Sequence, residues 1–563
     1  MIGLISATAA GAAARDRLAA AWPDRVRVYD GPVGDAVRRA FAECEQLVCF
    51  LATGAVVRLI APLLGDKASD PGVVCVDEGG RFAVSLVGGH GGGANELARE
   101  VGESLGAQPV VTTATDAVGV PGLDTLGLPV EGDVAGVSRA LLDGEPVALR
   151  AEVVWPLPPL RVGADGAYTV RLTDRLVEPA EHEVVLRPPS LVVGVGASKG
   201  APVDEVLGLI EGALADAGLA AGSVAELATV DAKADEPGIV EAAARLGVPL
   251  VTHAAAALAA VEVPNPSAAP LAAVGTPSVA EAAALVGGGE LLVPKRKSAA
   301  NPAMATCAVV RRPGRGRLAV VGLGPGARDL LTPRAKAELR RASVLVGLDQ
   351  YVDQIRDLLR PGTRVLESGL GAEEERARTA VAEARKGQAV ALIGSGDAGV
   401  YAMASPALAE ASDDIDVIGV PGVTAALAAA AILGAPLGHD HVSISLSDLH
   451  TPWEVIERRV RAAAEADLVV TFYNPRSRGR DWQLPKALAI LAEHRAPTTP
   501  VGVVRNASRP DESGRLTTLA ALDPATVDMM TVVTVGNTAT RDIAGRMVTP
   551  RGYRWQASRE EAK

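Results

Sequence analysis

The sequence predicts an α/β protein of several domains, and three observations carry that expectation. First, one local pattern dominates: a short Val/Leu/Ile strand, a glycine-rich turn, then an amphipathic helix, the unit from which parallel sheets covered by helices are built. Second, 563 residues are too many for one hydrophobic core, because cores stop growing beyond roughly 250–300 residues. Third, the 60 glycines and 38 prolines are spread along the whole chain, as many short strand-to-helix turns require.

The elements are read in chain order. The opening stretch MIGLISATAAGAAA reads as a strand followed by a helix. It has no positive charge before Arg15, which a secretory signal would carry first. Residues 82–87 form a strand that runs into a glycine-rich loop at 88–93. Prolines break the pattern at 155–160 (WPLPPL), and alternating charged segments up to Pro188 and Pro189 predict a small β-rich insert. The α/β pattern then resumes with a strand at 191–195, the turn Gly196-Ala197-Ser198-Lys199-Gly200, and a helix with Pro202 in its first turn, where proline costs little. Val203, Val206, Leu207, Ile210 and Leu214 recur at three- and four-residue steps, so one face of this helix packs on a sheet. The basic stretch RRPGRGR at 311–317 reads as a linker. The predicted divisions are 1–187, 188–311 and 315–555, with the last eight residues frayed.

Composition narrows the function. Apolar residues at 48% and charged residues at 22% are ordinary for a soluble globular chain. A net charge of −12 argues against nucleic-acid binding, which needs a basic face. It leaves open an anionic small substrate held by local arginines. Cys44, Cys49, Cys75 and Cys307 form no CxxC pair and read as buried free thiols of a reducing compartment, hence a cytoplasmic protein. The longest apolar run, 423–437, is too short to span a bilayer and is expected to be a buried helix, so no membrane is expected as a partner. No metal site is readable, since there is neither HExxH nor paired Cys/His spacing.

In the C-terminal half, a strand at 318–321 runs into Gly322-Leu323-Gly324-Pro325-Gly326. Alone this is a near match to a dinucleotide fingerprint. Pro325 has no N–H to offer a pyrophosphate, and the next helix starts only at Thr332 as N-cap with Pro333 behind it. A nicotinamide oxidoreductase is therefore disfavoured, and Leu348-Asp349 is a marginal match for its acidic residue. Four motifs then follow short apolar strands: IGSGDAGVY at 393–401, VPGVTA at 420–425, TFYNPRS at 471–477 and TVGNT at 534–538. In order and spacing they resemble the tetrapyrrole methyltransferase family, and the SGDAGVY and FYNPRS forms resemble its precorrin-3B or cobalt-factor III carbon-17 members. The resemblance covers 315–555. It implies a fold of two α/β lobes with S-adenosylmethionine in the cleft between them, and a homodimer. It places the cofactor against Pro325, Ser395, Gly396, Asp397 and Val400, with Thr424, Ala425, Asn474 and Gly536 completing the site. Asp397 suits ribose hydroxyls or the cofactor amine. Methyl transfer from a sulfonium needs alignment more than acid–base help. Corrin precursors carry many carboxylate arms, which arginine forks suit; Arg476 and Arg478 are the first candidates, with Arg480, Arg505 and Arg509 behind them.

In the N-terminal half, GGHGGGANELA at 88–98 and TTATD at 112–116 stand out. A histidine within a glycine run is a plausible general base, and the amides of Gly91 to Gly93 could cradle an oxyanion. These elements resemble the cobalt-precorrin-5A hydrolase family. Its separate C-terminal module is matched by GVGASKG at 194–200, ATVDAKADE at 228–236 and VGTPSVAE at 274–281. The Lys199-Gly200 order is the reverse of a Walker A loop, so a nucleotidase is rejected. The resemblance implies opening of a lactone on the contracted ring with release of acetaldehyde. It does not assign catalytic residues. Chemistry makes His90 the best base, with Glu96 and Asp116 as alternatives, and places Lys199, Lys233, Asp235 and Glu236 on the second module's ligand face. Cobalt, on this reading, arrives only within the tetrapyrrole substrate.

A fusion has chemical logic. By resemblance, the methyl transfer contracts the macrocycle and forms the lactone that the other half opens, although another methylation, by another cobalamin-pathway enzyme, lies between. Two further readings stand beside it: a different tetrapyrrole methylase, and an N-terminal half that binds corrinoid without catalysis.

Overall fold

A computed structural model describes residues 1–552 apart from 67–68, 90–91, 113–118 and 478. The chain divides into two compact units, Met1–Gly314 with Arg360–Gly362, and Arg315–Leu359 with Thr363–Lys563.

The first unit contains three sheets. The first has the order Val26–Val28, Ile2–Ser6, Gln46–Phe50, Gly72–Val76, Phe82–Val87, Gln108–Val110. Its pairs are parallel except between Gly72–Val76 and Phe82–Val87. Gly72–Val76 is buried throughout, which is why it reads as an unbroken apolar run rather than an alternating one. The β-rich insert is larger than its proline signal indicated. It already begins with strand Val130–Gly132, includes helix Val134–Asp143, and closes a four-stranded sheet with Glu183–Leu186, Tyr168–Leu172 and Val147–Ala151. The third sheet has the order Leu250–His253, Val224–Val230, Leu191–Ala197, Ala305–Arg311, Glu290–Lys297; its first three strands are parallel. The predicted face of helix Val203–Asp216 packs here, with Val206, Ile210 and Leu214 buried.

One buried carboxylate fastens the insert to the third sheet. Asp174 is fully buried and accepts from Arg311 Nε at 2.6 Å, Arg311 Nη2 at 2.8 Å and Ser190 Oγ at 2.9 Å. A buried charge is tolerable only with such pairing.

The second unit has two lobes. The N-lobe sheet is fully parallel, in the order Arg364–Ser368, Val344–Leu348, Ala389–Gly394, Arg317–Gly322, Asp416–Val420. The C-lobe sheet is mixed: His441–Ser445, Val469–Tyr473, Thr531–Val535, Pro500–Arg505, Ser513–Thr518. Thr531–Val535 runs antiparallel to both of its neighbours, so Val469–Tyr473 and Pro500–Arg505 end at the same edge. Thr332 caps helix Pro333–Arg341 through its side chain, as the sequence predicted. The apolar run at 423–437 departs from expectation. Its helix is only Ala425–Leu433, it is not wholly buried, and Leu427 (53%) and Ile432 (36%) face solvent. Gly434 ends it with φ of +126°, which an L side chain rarely adopts. No helix among the described residues is long and apolar enough to cross a membrane.

Candidate functional site

In the N-lobe, three adjacent parallel strands end in loops that lock together. Ligands of open parallel sheets bind beyond such carboxyl ends. Gly324 and Gly396 form a two-way backbone bridge, with N–H to carbonyl distances of 3.0 and 2.8 Å. A Cβ on Gly422 would lie 2.2 Å from the Gly396 carbonyl oxygen, and one on Gly322 only 2.7 Å from it. These glycines therefore serve close loop-to-loop approach. Asp397 fixes the arrangement: Oδ1 accepts from Gly399 N at 2.8 Å and Oδ2 from Gly422 N at 3.0 Å. Each oxygen keeps further acceptor capacity, so the half-buried carboxylate can also take hydroxyl or amine donors of a ligand.

The C-lobe meets these loops with two side chains. Arg509 donates from Nε to the Pro325 carbonyl at 2.9 Å and from Nη2 to Ser395 Oγ at 3.4 Å. Tyr473, at the end of Val469–Tyr473, places its hydroxyl 2.5 Å from Thr424 Oγ1 and accepts from Ala426 N at 2.9 Å. The Tyr401 ring lies 5.3 Å from that of Tyr473, and its hydroxyl donates to the Ser443 carbonyl at 2.8 Å. Asn474 holds φ of +49° and donates from Nδ2 to Ser445 Oγ at 3.1 Å.

Pro325, Ser395, Gly396, Asp397, Val400, Thr424 and Asn474 thus lie on the strand-end loops that face one another within this unit, and Ala425 opens the helix that follows one of them. Gly536 does not join them. It follows the end of an antiparallel strand, where Val535 pairs with Val470. It lies beside the start of Val469–Tyr473, about 16 Å from Asn474 at ~3.3 Å per residue. Its surroundings explain the glycine: a Cβ would meet Thr540 at 2.6 Å, and its carbonyl accepts from the buried Arg495 at 2.6 Å. A cavity of about 580 Å³ lined by Thr499, Pro500, Thr518, Asn537 and Arg541 opens at this far end, away from the facing loops.

The arginines also sort differently from expectation. Arg476 donates to the carbonyls of Ala525 at 3.0 Å and Val527 at 3.5 Å, which makes it a brace within the C-lobe. Arg480 donates to the carbonyls of Leu446 at 2.9 Å and Asn474 at 2.6 Å, and burial lowers its guanidinium below the usual range. Arg505 pairs with Asp528 at 2.8 Å. Arg478 lies outside the described residues.

In the first unit, His90 and Asp116 also lie outside the described residues. Glu96 is exposed on helix Ala94–Leu105 and pairs with Arg99 at 2.7 Å, an ordinary surface ion pair. The glycine run packs against the neighbouring strand through the Gly92 carbonyl. Gly92 packs so closely that a Cβ on Gly72 would lie 2.2 Å from its oxygen, and Gln46 donates to that oxygen at 3.1 Å. In the second module, Lys199 is exposed and Glu236 is buried. Glu236 accepts from Gly200 N at 2.6 Å and pairs with Lys233 at 3.2 Å. It is a clamp between two strand-end loops, contrary to its expected place on a ligand face. Among the described residues no cluster of His, Cys, Asp or Glu could hold a metal ion.

Comparison with known proteins places these features in a frame. Residues 317–523 match the profile of the Tetrapyrrole (Corrin/Porphyrin) Methylases, residues 35–116 that of Cobalamin synthesis G N-terminal, and residues 191–310 that of Cobalamin synthesis G C-terminus. Over 239 residues the chain is 47% identical to a probable cobalt-factor III C(17)-methyltransferase of Salmonella typhimurium, covering 42% of this chain and 99% of that one. It is 40% identical over 250 residues to a precorrin-3B C(17)-methyltransferase of Sinorhizobium sp, covering 42% and 97%. A cobalt-factor III methyltransferase of Priestia megaterium is 42% identical over 248 residues, and there the match spans 42% of this chain but only 45% of the relative.

Proposed function

Because the chain belongs to the tetrapyrrole (corrin/porphyrin) methylases and carries both cobalamin synthesis G modules, we propose that it is a two-headed enzyme of cobalamin biosynthesis. The C-terminal half methylates a tetrapyrrole at carbon 17 with ring contraction, and the N-terminal half opens the lactone of a later intermediate. The observation that carries this is the 47% identity across 99% of the carbon-17 relative.

Tetrapyrrole methylases use S-adenosylmethionine, which supplies an activated methyl group when bound. The residues fit it. The strand-end loops give a backbone cradle in which Gly322, Gly324 and Gly422 admit no Cβ, and Asp397 keeps acceptor capacity for hydroxyls. Arg509 and Tyr473 hold the loops from the opposite lobe, so donor and acceptor meet in a prearranged site. Pro325, Ser395, Gly396, Asp397, Val400, Thr424, Ala425 and Asn474 line the cofactor side in this reading, and Gly536 is left out. The macrocycle lies over the C-lobe edge, and of the arginine candidates Arg478 is the one proposed for its carboxylates. Cobalt enters as part of the substrate, because the lactone-opening modules belong to the cobalt route. For that half, His90 is the base candidate, with Asp116 behind it, and Lys199 faces the ligand. The enzyme acts in the cytoplasm as a homodimer, alongside the pathway enzyme that methylates between its two steps.

Incubation of the full chain with S-adenosylmethionine and cobalt-factor III or precorrin-3B tests the methyl transfer. The expected product carries one new methyl at carbon 17 on a contracted ring. A methyl at any other carbon would overturn the assignment.

A further inference from the structure

In the first unit's third sheet, strand Glu290–Lys297 pairs with Ala305–Arg311 but slips register twice, between Leu291 and Val293 and between Val293 and Arg296. Lys295 lies in the second slip, and irregularities of this kind re-aim side chains. Its backbone N–H donates to Glu281 Oε1 at 2.8 Å. Glu281 is fully buried, and the same carboxylate accepts from Asn265 N at 3.0 Å and Asn265 Nδ2 at 2.7 Å. A buried carboxylate satisfied by N–H donors is a rigid anchor. It ties the Asn265-Pro266-Ser267 loop to the irregular strand.

That anchoring brings two reactive groups together. Lys295 Nζ donates to Ser267 Oγ at 2.9 Å and also to the Asn265 carbonyl. The Ser267 N–H donates to the Pro277 carbonyl at 2.7 Å, so the serine is held from both sides. Both residues are half-buried. Among the described residues Lys295 makes no ion pair. A lysine amine at hydrogen-bond distance from a serine hydroxyl is a known way of activating serine for acyl transfer.

We propose that Ser267 and Lys295 are the acyl-transfer pair that opens the lactone, an inference that rests on the hydrolase reading above. The amine form of Lys295 takes the Ser267 proton as Oγ attacks the lactone carbonyl carbon. The acyl C–O bond then breaks, and the departing alkoxide takes the proton from the Lys295 ammonium. The substrate's carboxyl is left as an ester of Ser267. Lys295 next takes a proton from water, the hydroxide attacks the ester, and Oγ leaves and recovers its proton. The sum is lactone plus water giving a hydroxy acid. Release of a two-carbon aldehyde from the freed hydroxyl arm breaks a carbon–carbon bond and stays with the base assigned to the N-terminal module.

The test uses the full chain and cobalt-precorrin-5A, with mass spectrometry following the gain of one water and, separately, the release of acetaldehyde. Ser267→Ala and Lys295→Arg are expected to slow water addition by about a hundredfold or more, the scale of a lost base or nucleophile. Lys295→Arg keeps the charge and the donors, so a structural role alone would leave its rate unchanged. Ser267→Cys is expected to restore opening in part, through a thioester on the peptide that contains residue 267. Wild-type rates in Ser267→Ala or Lys295→Arg would overturn the pair while leaving the hydrolase reading intact. A wild-type chain that methylates but never opens the lactone would overturn the hydrolase reading and the pair with it.

Discussion

Arg509 and Pro325 are 184 positions apart in sequence, yet the guanidinium Nε of one donates to the carbonyl of the other at 2.9 Å. This bond, with the weaker reach to Ser395 Oγ at 3.4 Å, joins the C-lobe to two glycine loops of the N-lobe. Arg509→Ala is therefore expected to weaken S-adenosylhomocysteine binding by about 1–3 kcal/mol, the scale of lost hydrogen bonds to a charged group. Calorimetry on the full chain measures it, and an unchanged affinity would reduce Arg509 to a surface brace.

Asp397→Ala removes the acceptor for two loop amides as well as the one offered to the cofactor. Affinity for S-adenosylhomocysteine is expected to fall by about 1–3 kcal/mol. Asp397→Asn keeps the shape and part of the acceptor set, so it should fall between wild type and alanine. Equal affinities for all three would remove the residue from the site.

Tyr473→Phe deletes one hydroxyl that meets both Thr424 and the Ala426 amide. A stability loss of about 1–2 kcal/mol is expected from the partners left unsatisfied, read as a lower denaturation midpoint in urea. Methyl transfer should slow as well, because the loop carrying Thr424 loses its hold.

Gly536→Ala separates packing from binding. Its Cβ would meet Thr540 at 2.6 Å, so stability should drop by about 1–3 kcal/mol from overpacking. Cofactor affinity should not change, since this glycine sits at the far end of the C-lobe sheet. Lost affinity at unchanged stability would return Gly536 to the cofactor site.

Asp174 gives a dependence on pH. Burial acts to raise its carboxyl, but hydrogen bonds from Arg311 and Ser190 outweigh burial and hold it below the usual carboxylate range. A depressed folded value means the stabilisation is complete above the unfolded value of about 4 and is lost as pH falls through the folded one. Asp174→Asn should cost about 3 kcal/mol at neutral pH, the lower end for a broken buried pair. It should also flatten the loss of stability below about pH 4. Parallel acid titrations of unfolding compare the two.

The sequence was most informative where chemistry and local backbone coincide. The motifs at 322–326, 393–401 and 420–425 each follow a parallel strand, and the structure brings them together at one edge of the N-lobe sheet. The cap at Thr332 was equally readable, because a cap is a three-residue event. Gly536 misled because glycine looks the same whether it admits a ligand or a neighbouring threonine, and strand direction decides which edge it occupies. Arg476 reads by type and position as a carboxylate binder, whereas carbonyls about fifty residues later in the chain occupy it. The latch by Arg509 and the Ser267–Lys295 contact depend on long-range folding and on register slips in one strand. Residue type and spacing carry no signal for either.

Product mapping by mass spectrometry and NMR, after one turnover of the full chain with isotopically labelled S-adenosylmethionine and cobalt-factor III, decides where the methyl goes. The labelled methyl is expected at carbon 17 of a contracted, lactone-bearing ring. Label at another carbon, or on an uncontracted macrocycle, would contradict the carbon-17 assignment.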